Sequence, residues 1–272
     1  MATPLIQLLT IVLYLAAGAL LARRLWRAAE DGAGPALHVP LILAGGAAIL
    51  HAAVVYRQLW SGGELNLGLT TAASLMALAI VVLYLLLALF KPFENLGIVV
   101  LPVAAATVVA AWGWPGHPVG LPPVSGLLLT HLIIAFLAYS LLALAVVQAL
   151  LLLWQERRLH HRHPGRLLRA LPPLQTMEDF LFRLVGAGFL LLTLTLASGT
   201  LFAEALFQRP LVINHHILLS LTGWVIFGIL LLGHWRYGWR GRHAVHWTLG
   251  GFALLLLGYF GTKFVLEVLL GR

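Results

Sequence analysis

Histidines inside apolar segments are the residues of this sequence with the clearest chemical potential. His51 and His131 each lie about five or six residues from the outer end of a long apolar run. At about 1.5 Å of rise per helical residue, both rings are expected on the order of 8–9 Å below one membrane surface. Two imidazoles on different helices at one depth can bind a haem iron from both sides. They can equally hydrogen-bond a neighbouring helix, and the spacing alone favours that second interpretation.

Three further histidines lie at the two ends of a later apolar run. His215 and His216 begin it, and neighbouring helical residues point about 100° apart, so at most one of them is expected to face a given site. They can ligate iron, cover the edge of a haem, or lie at the membrane interface. His234 ends the same run beside a basic turn. That turn can bind lipid phosphates or another anionic ligand, or it can simply set the topology.

The chain that positions these residues is too apolar for a soluble domain. Hydrophobic residues make up 61% of it and charged residues only 10%, with a mean hydropathy of +0.97. A transmembrane helix needs about 20 predominantly apolar residues. The sequence therefore predicts an all-α, polytopic transmembrane helical bundle with about eight spans, at residues 3–22, 39–57, 67–90, 95–112, 126–154, 180–204, 213–235 and 246–268.

The basic residues indicate the orientation of these spans. Of the 17 lysines and arginines, 13 lie at or near alternate gaps, which are the gaps that follow the first, third, fifth and seventh spans. Cytoplasmic loops carry such an excess, so both termini are predicted to face outward. Topology and anionic lipid headgroups account for the net charge of +8, and we therefore expect no nucleic-acid partner.

Other chemistries leave little trace in the sequence. The chain has no cysteine, which excludes thiolate catalysis, iron–sulfur clusters and cysteine-ligated zinc. No nucleophile–base pair, paired carboxylates or phosphate-binding loop is evident, so nothing points to an enzyme.

Lys263 and Glu267 are four residues apart in the last span, where mutual neutralisation makes both charges tolerable. Thr176, followed by acidic residues, is predicted to start the sixth helix.

Nine short motifs stand out in the second half of the chain. They are Thr130-His131 through Tyr139-Ser140, Pro172 to Glu178, His215-His216, Trp224 to Phe227, Gly233 to Arg236, Gly238 to Gly241, Leu249 to Phe252, Tyr259 to Gly261, and Lys263 to Glu267. The segment Thr130-His131 through Tyr139-Ser140 and the five motifs between Trp224 and Gly261 resemble the cytochrome c assembly (CcsA/CcmC/CcmF) superfamily, over about residues 65–270. The other three motifs, Pro172 to Glu178, His215-His216 and Lys263 to Glu267, look most like its YpjD-like branch, and this resemblance covers nearly the whole chain.

This resemblance implies an all-helical protein of the bacterial inner membrane that binds or presents haem. By position, His131 matches the family's outer haem-binding histidine, and His234 matches a histidine in the helix after the tryptophan-rich segment. Two features of the family are missing here. Phe202 to His216 replaces the tryptophan-rich loop with its Trp-Asp signature, and no histidine follows the last span in Val268 to Arg272.

We therefore expect a single transmembrane domain, residues 1–272, that handles haem b during cytochrome c biogenesis. His131 is the first choice for an axial ligand of the iron, and the second ligand is His51, His215 or His216. His234 is a further cofactor-binding candidate. The expected partners are the lipid bilayer and a cytochrome c assembly or transporter component. Two alternatives are a b-type haem electron carrier and a haem-free accessory subunit of a transporter, in which the histidines are structural.

Overall fold

The computed structural model describes residues 2–31, 36–60, 65–89, 93–114, 125–160, 170–202 and 215–269. Within these ranges the chain is helical and contains no β-strand. The helices are α1 (Ala2–Asp31), α2 (His38–Leu59), α3 (Leu69–Ala88), a short 3₁₀ turn (Glu94–Leu96), α4 (Gly97–Gly113), α5 (Gly126–His160), α6 (Leu174–Leu201), α7 (His215–Tyr237) and α8 (Gly241–Leu256). The last helix continues through Leu257–Gly261, Thr262–Phe264 and Val265–Leu269.

Eight helices of the described ranges are long and apolar enough to cross a bilayer. Each coincides with one predicted run, so the prediction of eight spans is confirmed. The start of α6 was predicted wrongly, because the helix begins at Leu174 and Thr176 lies inside its first turn. Pro173 precedes the helix with an extended backbone, φ −54° and ψ 145°, and the proline pair rather than the threonine marks the boundary.

The helices pack as two groups that meet along α3 and α5. In the first group, α1 packs against α2 and α4, and α3 packs against the same two helices. In the second group, α5 packs against α6 and α8, and α7 packs against α6 and α8. Small residues permit close approaches between helices: a Cβ added at Gly188 of α6 would lie 2.7 Å from the Leu142 side chain of α5.

The two ends of the bundle carry different side chains. At one end, Arg24 Nε lies 3.5 Å from Glu94 Oε1, and Arg242 Nε lies 3.2 Å from Glu156 Oε1. We call this the arginine-rich end; its described arginines are Arg23, Arg24, Arg27, Arg157, Arg158, Arg183, Arg236, Arg240 and Arg242. The opposite end, which we call the histidine end, carries His131, His215 and His216.

The last helix departs from regular α-helical geometry as it approaches the histidine end. Two π-helical turns, Leu257–Gly261 and Val265–Leu269, flank the short α-helical segment Thr262–Phe264. Such turns are rare and occur often at functional sites. Here they place Tyr259 and Glu267 in the two irregular turns.

Candidate functional site

His131 lies in the second turn of α5 and is half-buried against α6. Its Nδ1 is 2.7 Å from the Ser198 hydroxyl oxygen, a short hydrogen-bond distance. The next residue of α6, Gly199, leaves room for the ring, since a Cβ there would lie 3.4 Å from His131 Cε1. The imidazole is therefore held in one position between two helices of the second group.

The adjacent histidines of α7 have different surroundings, as their angular separation predicts. His215 is exposed, and its Nε2 lies 3.0 Å from the Thr262 hydroxyl of the last helix. His216 is half-buried and presents its ring to the Tyr259 ring, with centroids 6.2 Å apart and planes inclined by 68°. Only His216 points toward the packed interior of the second group.

Two tyrosines lie further along the second group from the histidine end. Tyr259, in the first π-helical turn of the last helix, also approaches Tyr139 of α5, with ring centroids 6.4 Å apart. Tyr139 lies eight residues beyond His131, which is about 12 Å along the helix axis. These rings connect His216 with the helix that carries His131. Tyr139 and Tyr259 were not predicted as site residues, although hydroxyl groups within apolar runs were the signal available for them.

His51 lies in the first helix group, away from this arrangement. Its side chain is fully buried, with Nδ1 3.1 Å from the Tyr14 hydroxyl of α1 and Nε2 2.8 Å from the Ser74 hydroxyl of α3. Both ring nitrogens therefore bond neighbouring helices. This is the hydrogen-bonding role that the sequence allowed as an alternative, and ligation of iron by His51 would require one of these bonds to break.

His234 lies at the arginine-rich end, 18 residues after His216 on the same helix, a separation of about 27 Å along the axis. Its Nδ1–H donates to the Trp239 carbonyl oxygen at 2.9 Å, and its ring stacks on Phe182 at a centroid distance of 3.5 Å. His234 and the histidines of the opposite end therefore cannot bind the same iron. The turn beside it is closed by the Gly241 N–H, which donates to Glu178 Oε1 at 2.8 Å.

The predicted pairing of Lys263 and Glu267 is confirmed, with Nζ 3.5 Å from Oε1. The structure adds a partner that the sequence did not indicate. The Leu69 N–H, at the start of α3, donates to the Glu267 carboxylate, whose oxygens lie 3.0 and 2.8 Å away. This contact joins the last helix to the first helix group at the histidine end.

His131 shares one feature with histidines that bind a metal such as haem iron. Histidines that bind metals through Nε2 typically use the other ring nitrogen in a hydrogen bond that sets the ring orientation. The contact between His131 Nδ1 and Ser198 has this form. Residues 203–214, where the family's tryptophan-rich loop was expected, lie outside the described residues.

Comparison with known families matches the sequence of the chain to one of them. The sequence profile described as Cytochrome C assembly protein matches residues 47–270, which is most of the chain. The chain belongs to the cytochrome c assembly family. The matched region begins inside α2 and includes all five of the candidate histidines.

Individual relatives agree with the family assignment. The chain is 28% identical to inner membrane protein YpjD of Escherichia coli (strain K12) over 229 residues, which is 82% of this chain and 84% of the relative. It is 39% identical over 141 residues to an uncharacterised 28.8 kDa protein of Azospirillum brasilense, 52% of each chain. A more distant match, 28% over 103 residues, is to cytochrome c biogenesis protein CcsA of Gloeobacter violaceus and covers 38% of this chain and 30% of that protein.

No solved structure matches the chain significantly. Eight apolar spans and the relationship to YpjD fit a multi-pass protein of the bacterial inner membrane.

Proposed function

We propose that this member of the cytochrome c assembly family binds haem b at the histidine end and handles it during cytochrome c biogenesis. The observation that carries the proposal is the placement of His131. The ring lies on the helix that resembles the family's haem-binding helix, and the Ser198 hydroxyl holds it through Nδ1. A ligand fixed in this way binds iron without first losing much rotational freedom.

His216 is the second ligand that the arrangement supports best. It is half-buried, lies at the same end of the same helix group, and contacts the tyrosine pair that leads to α5. His51 would have to give up a hydrogen bond inside the other group. His215 is exposed and bonded to Thr262, and His234 is about 27 Å away along α7.

The bound haem would supply an iron centre that can be carried or passed on to an assembly partner. The residues of the chain would hold and orient it. The apolar walls of α5 to α8 would exclude water, and burial of this kind influences both the strength of axial ligation and the reduction potential.

The test is an absorption spectrum of the purified protein after haem has been supplied, in oxidised and reduced forms. Wild-type protein is expected to show a Soret band that His131→Ala abolishes. His216→Ala is expected to convert a six-coordinate spectrum to a five-coordinate one. His246→Ala is the matched control, because His246 is exposed at the arginine-rich end and its loss should leave the spectrum unchanged.

Each alternative outcome has a definite meaning. A normal Soret band in His131→Ala would eliminate this histidine as the essential ligand. Reversible reduction of tightly held haem, with no transfer to an acceptor protein, would favour the electron-carrier function instead. Failure of the wild-type protein to take up haem would favour a haem-free accessory subunit.

A further inference from the structure

The turn between α7 and α8, at the arginine-rich end, is fixed by its own packing. The Trp239 ring fills the space that a Cβ at Gly233 would need, and its centroid lies 5.4 Å from that of the Trp247 ring. His234 Nδ1–H donates to the Trp239 carbonyl oxygen at 2.9 Å. Gly238 has a φ of 67°, a left-handed conformation that glycine adopts without strain. The backbone between the two helices is therefore held in one conformation.

Four exposed side chains surround this turn, and we call them the turn patch: Trp235, Arg236, Tyr237 and Arg240. Trp235 is 82% exposed and Tyr237 is 74% exposed, and Arg236 lies between them in the sequence. Neither arginine of the patch forms an ion pair with a residue that the structure describes. Arg242, by contrast, has its Nε 3.2 Å from Glu156 Oε1. The patch therefore presents two cations that the described part of the chain does not pair.

Helix electrostatics account for only one of these two cations. Arg236 lies in the last turn of α7, where a positive charge interacts favourably with the negative end of the helix dipole. Arg240 directly precedes α8 and so lies near its positive end, where a positive charge is unfavourable. Glu178 caps α8 at the Gly241 N–H but forms no ion pair with Arg240. Local helix stability therefore does not explain Arg240, whereas an anion bound from outside the chain would.

The two exposed aromatic rings indicate where that anion lies. Tryptophan and tyrosine are enriched where membrane spans meet water, with their rings at the level of the lipid headgroups. Trp235 and Tyr237 are among the last residues of α7, which is one of the eight apolar spans. The guanidinium groups beside them are therefore expected at the depth of the lipid phosphates, which arginine binds through paired N–H groups. An anionic phospholipid has the charge and the location that match the patch.

We propose that the turn patch binds the headgroup of an anionic phospholipid, with Arg236 and Arg240 donating to its phosphate. Trp235 and Tyr237 contact the glycerol and the upper part of the acyl chains. The competing explanation is that the arginines only fix the topology during insertion. Topology requires positive charge in a loop and predicts no preference of the folded protein for one lipid. The proposal involves no haem, so it stands or falls independently of the proposed function.

The experiment is native mass spectrometry of the purified protein in detergent, titrated with phosphatidylglycerol or with phosphatidylcholine that has the same acyl chains. The wild type is expected to prefer phosphatidylglycerol. Arg236→Gln and Arg240→Gln should each lower this preference about fivefold, and the double variant about 25-fold, because each basic residue near an anionic lipid surface contributes about that factor. Replacing both arginines by lysine keeps both charges and should retain most of the preference.

Arg57→Gln is the matched control. Arg57 is exposed at the histidine end and is likewise flanked by exposed aromatic residues, Tyr56 and Trp60. This variant should leave the lipid preference unchanged, and all variants should melt at the wild-type temperature. An equal loss in Arg57→Gln would overturn the proposal, because any surface arginine would then serve. A wild type without preference would also overturn it, as would a double glutamine variant that keeps the wild-type preference.

Inorganic phosphate distinguishes a lipid from a soluble source of the same anion. Millimolar phosphate is expected not to displace phosphatidylglycerol, because the acyl chains hold the headgroup beside the aromatic rings. Displacement would assign the arginines to a soluble phosphate compound and overturn the lipid assignment. Combining Trp235→Ala with Tyr237→Ala should weaken the binding of both lipids by a similar factor while the preference remains. Unchanged binding in that variant would contradict the contribution of the aromatic rings.

Discussion

The ion pair of Lys263 and Glu267 permits a quantitative test of how the last helix is held at the histidine end. Glu267 is 9% exposed and accepts from the Leu69 N–H, while Lys263 Nζ lies 3.5 Å from its Oε1. The Leu69 N–H is among the first four of α3, which have no acceptor within their own helix. The carboxylate therefore neutralises a cation and caps a helix at its positive end.

Glu267→Gln removes the charge and keeps an oxygen that can accept from Leu69. Lys263, whose side chain is 15% exposed, then has lost its counter-charge. Breaking a buried pair by removing one partner costs about 3–5 kcal/mol. A lysine near the end of a span can extend toward water, so we expect a loss of about 2 kcal/mol in the free energy of unfolding. This corresponds to a melting temperature lower by about 4–8 °C.

The decisive variant combines Glu267→Gln with Lys263→Met. It removes both charges while the cap on α3 remains, so its stability should return to within about 1 kcal/mol of wild type. Replacing the glutamine by alanine in this background also removes the cap, with a further cost of about 0.5–2 kcal/mol.

Thermal unfolding in detergent, followed by the fluorescence of the nine tryptophans, measures all of these variants. A double variant as unstable as Glu267→Gln would show that the lost counter-charge is not the cause of the destabilisation. Wild-type stability of Glu267→Gln itself would show that the ion pair does not stabilise the last helix.

Two further predictions use the same melting assay. His51→Ala should lower the melting temperature, because it leaves two buried hydroxyl groups without their hydrogen-bond partner, at a cost of about 1–3 kcal/mol each. The same variant should keep any Soret band. Loss of that band would indicate that His51 is an iron ligand. Gly188→Ala should cost about 1–3 kcal/mol because its Cβ meets Leu142 at 2.7 Å. Gly46→Ala, with no atom within 4 Å, should not destabilise, and equal effects of the two substitutions would contradict this packing argument.

The eight spans could be predicted because a bilayer requires about 20 apolar residues in each helix, whatever the neighbours are. The start of α6, which was predicted wrongly, depends on a different local rule, the signals that begin a helix. Both Pro173 and Thr176 are helix-start signals, and the prediction used the threonine where the structure begins directly after the proline. The i, i+4 pairing of Lys263 with Glu267 was likewise a local relation, and the structure confirms it.

The surroundings of the histidines could not be predicted in this way. The sequence predicts similar depths below the membrane surface for His51 and His131. In the structure, His51 bonds Tyr14 and Ser74 in the first helix group, whereas His131 bonds Ser198 in the second. Which helix faces a ring depends on the rotation and packing of every helix about its axis. Apolar runs of nearly uniform hydrophobicity contain little information about that rotation.

The amino-acid sequence by itself determined the membrane class, the number of spans, the family resemblance and the set of candidate histidines, because these follow from composition, segment length and local motifs. Only the tertiary structure decided which histidines share a helix group, which ring nitrogens are engaged, and that Glu267 reaches Leu69 across 198 positions of the chain. These contacts join residues remote in sequence, and they exist only once the helices have packed.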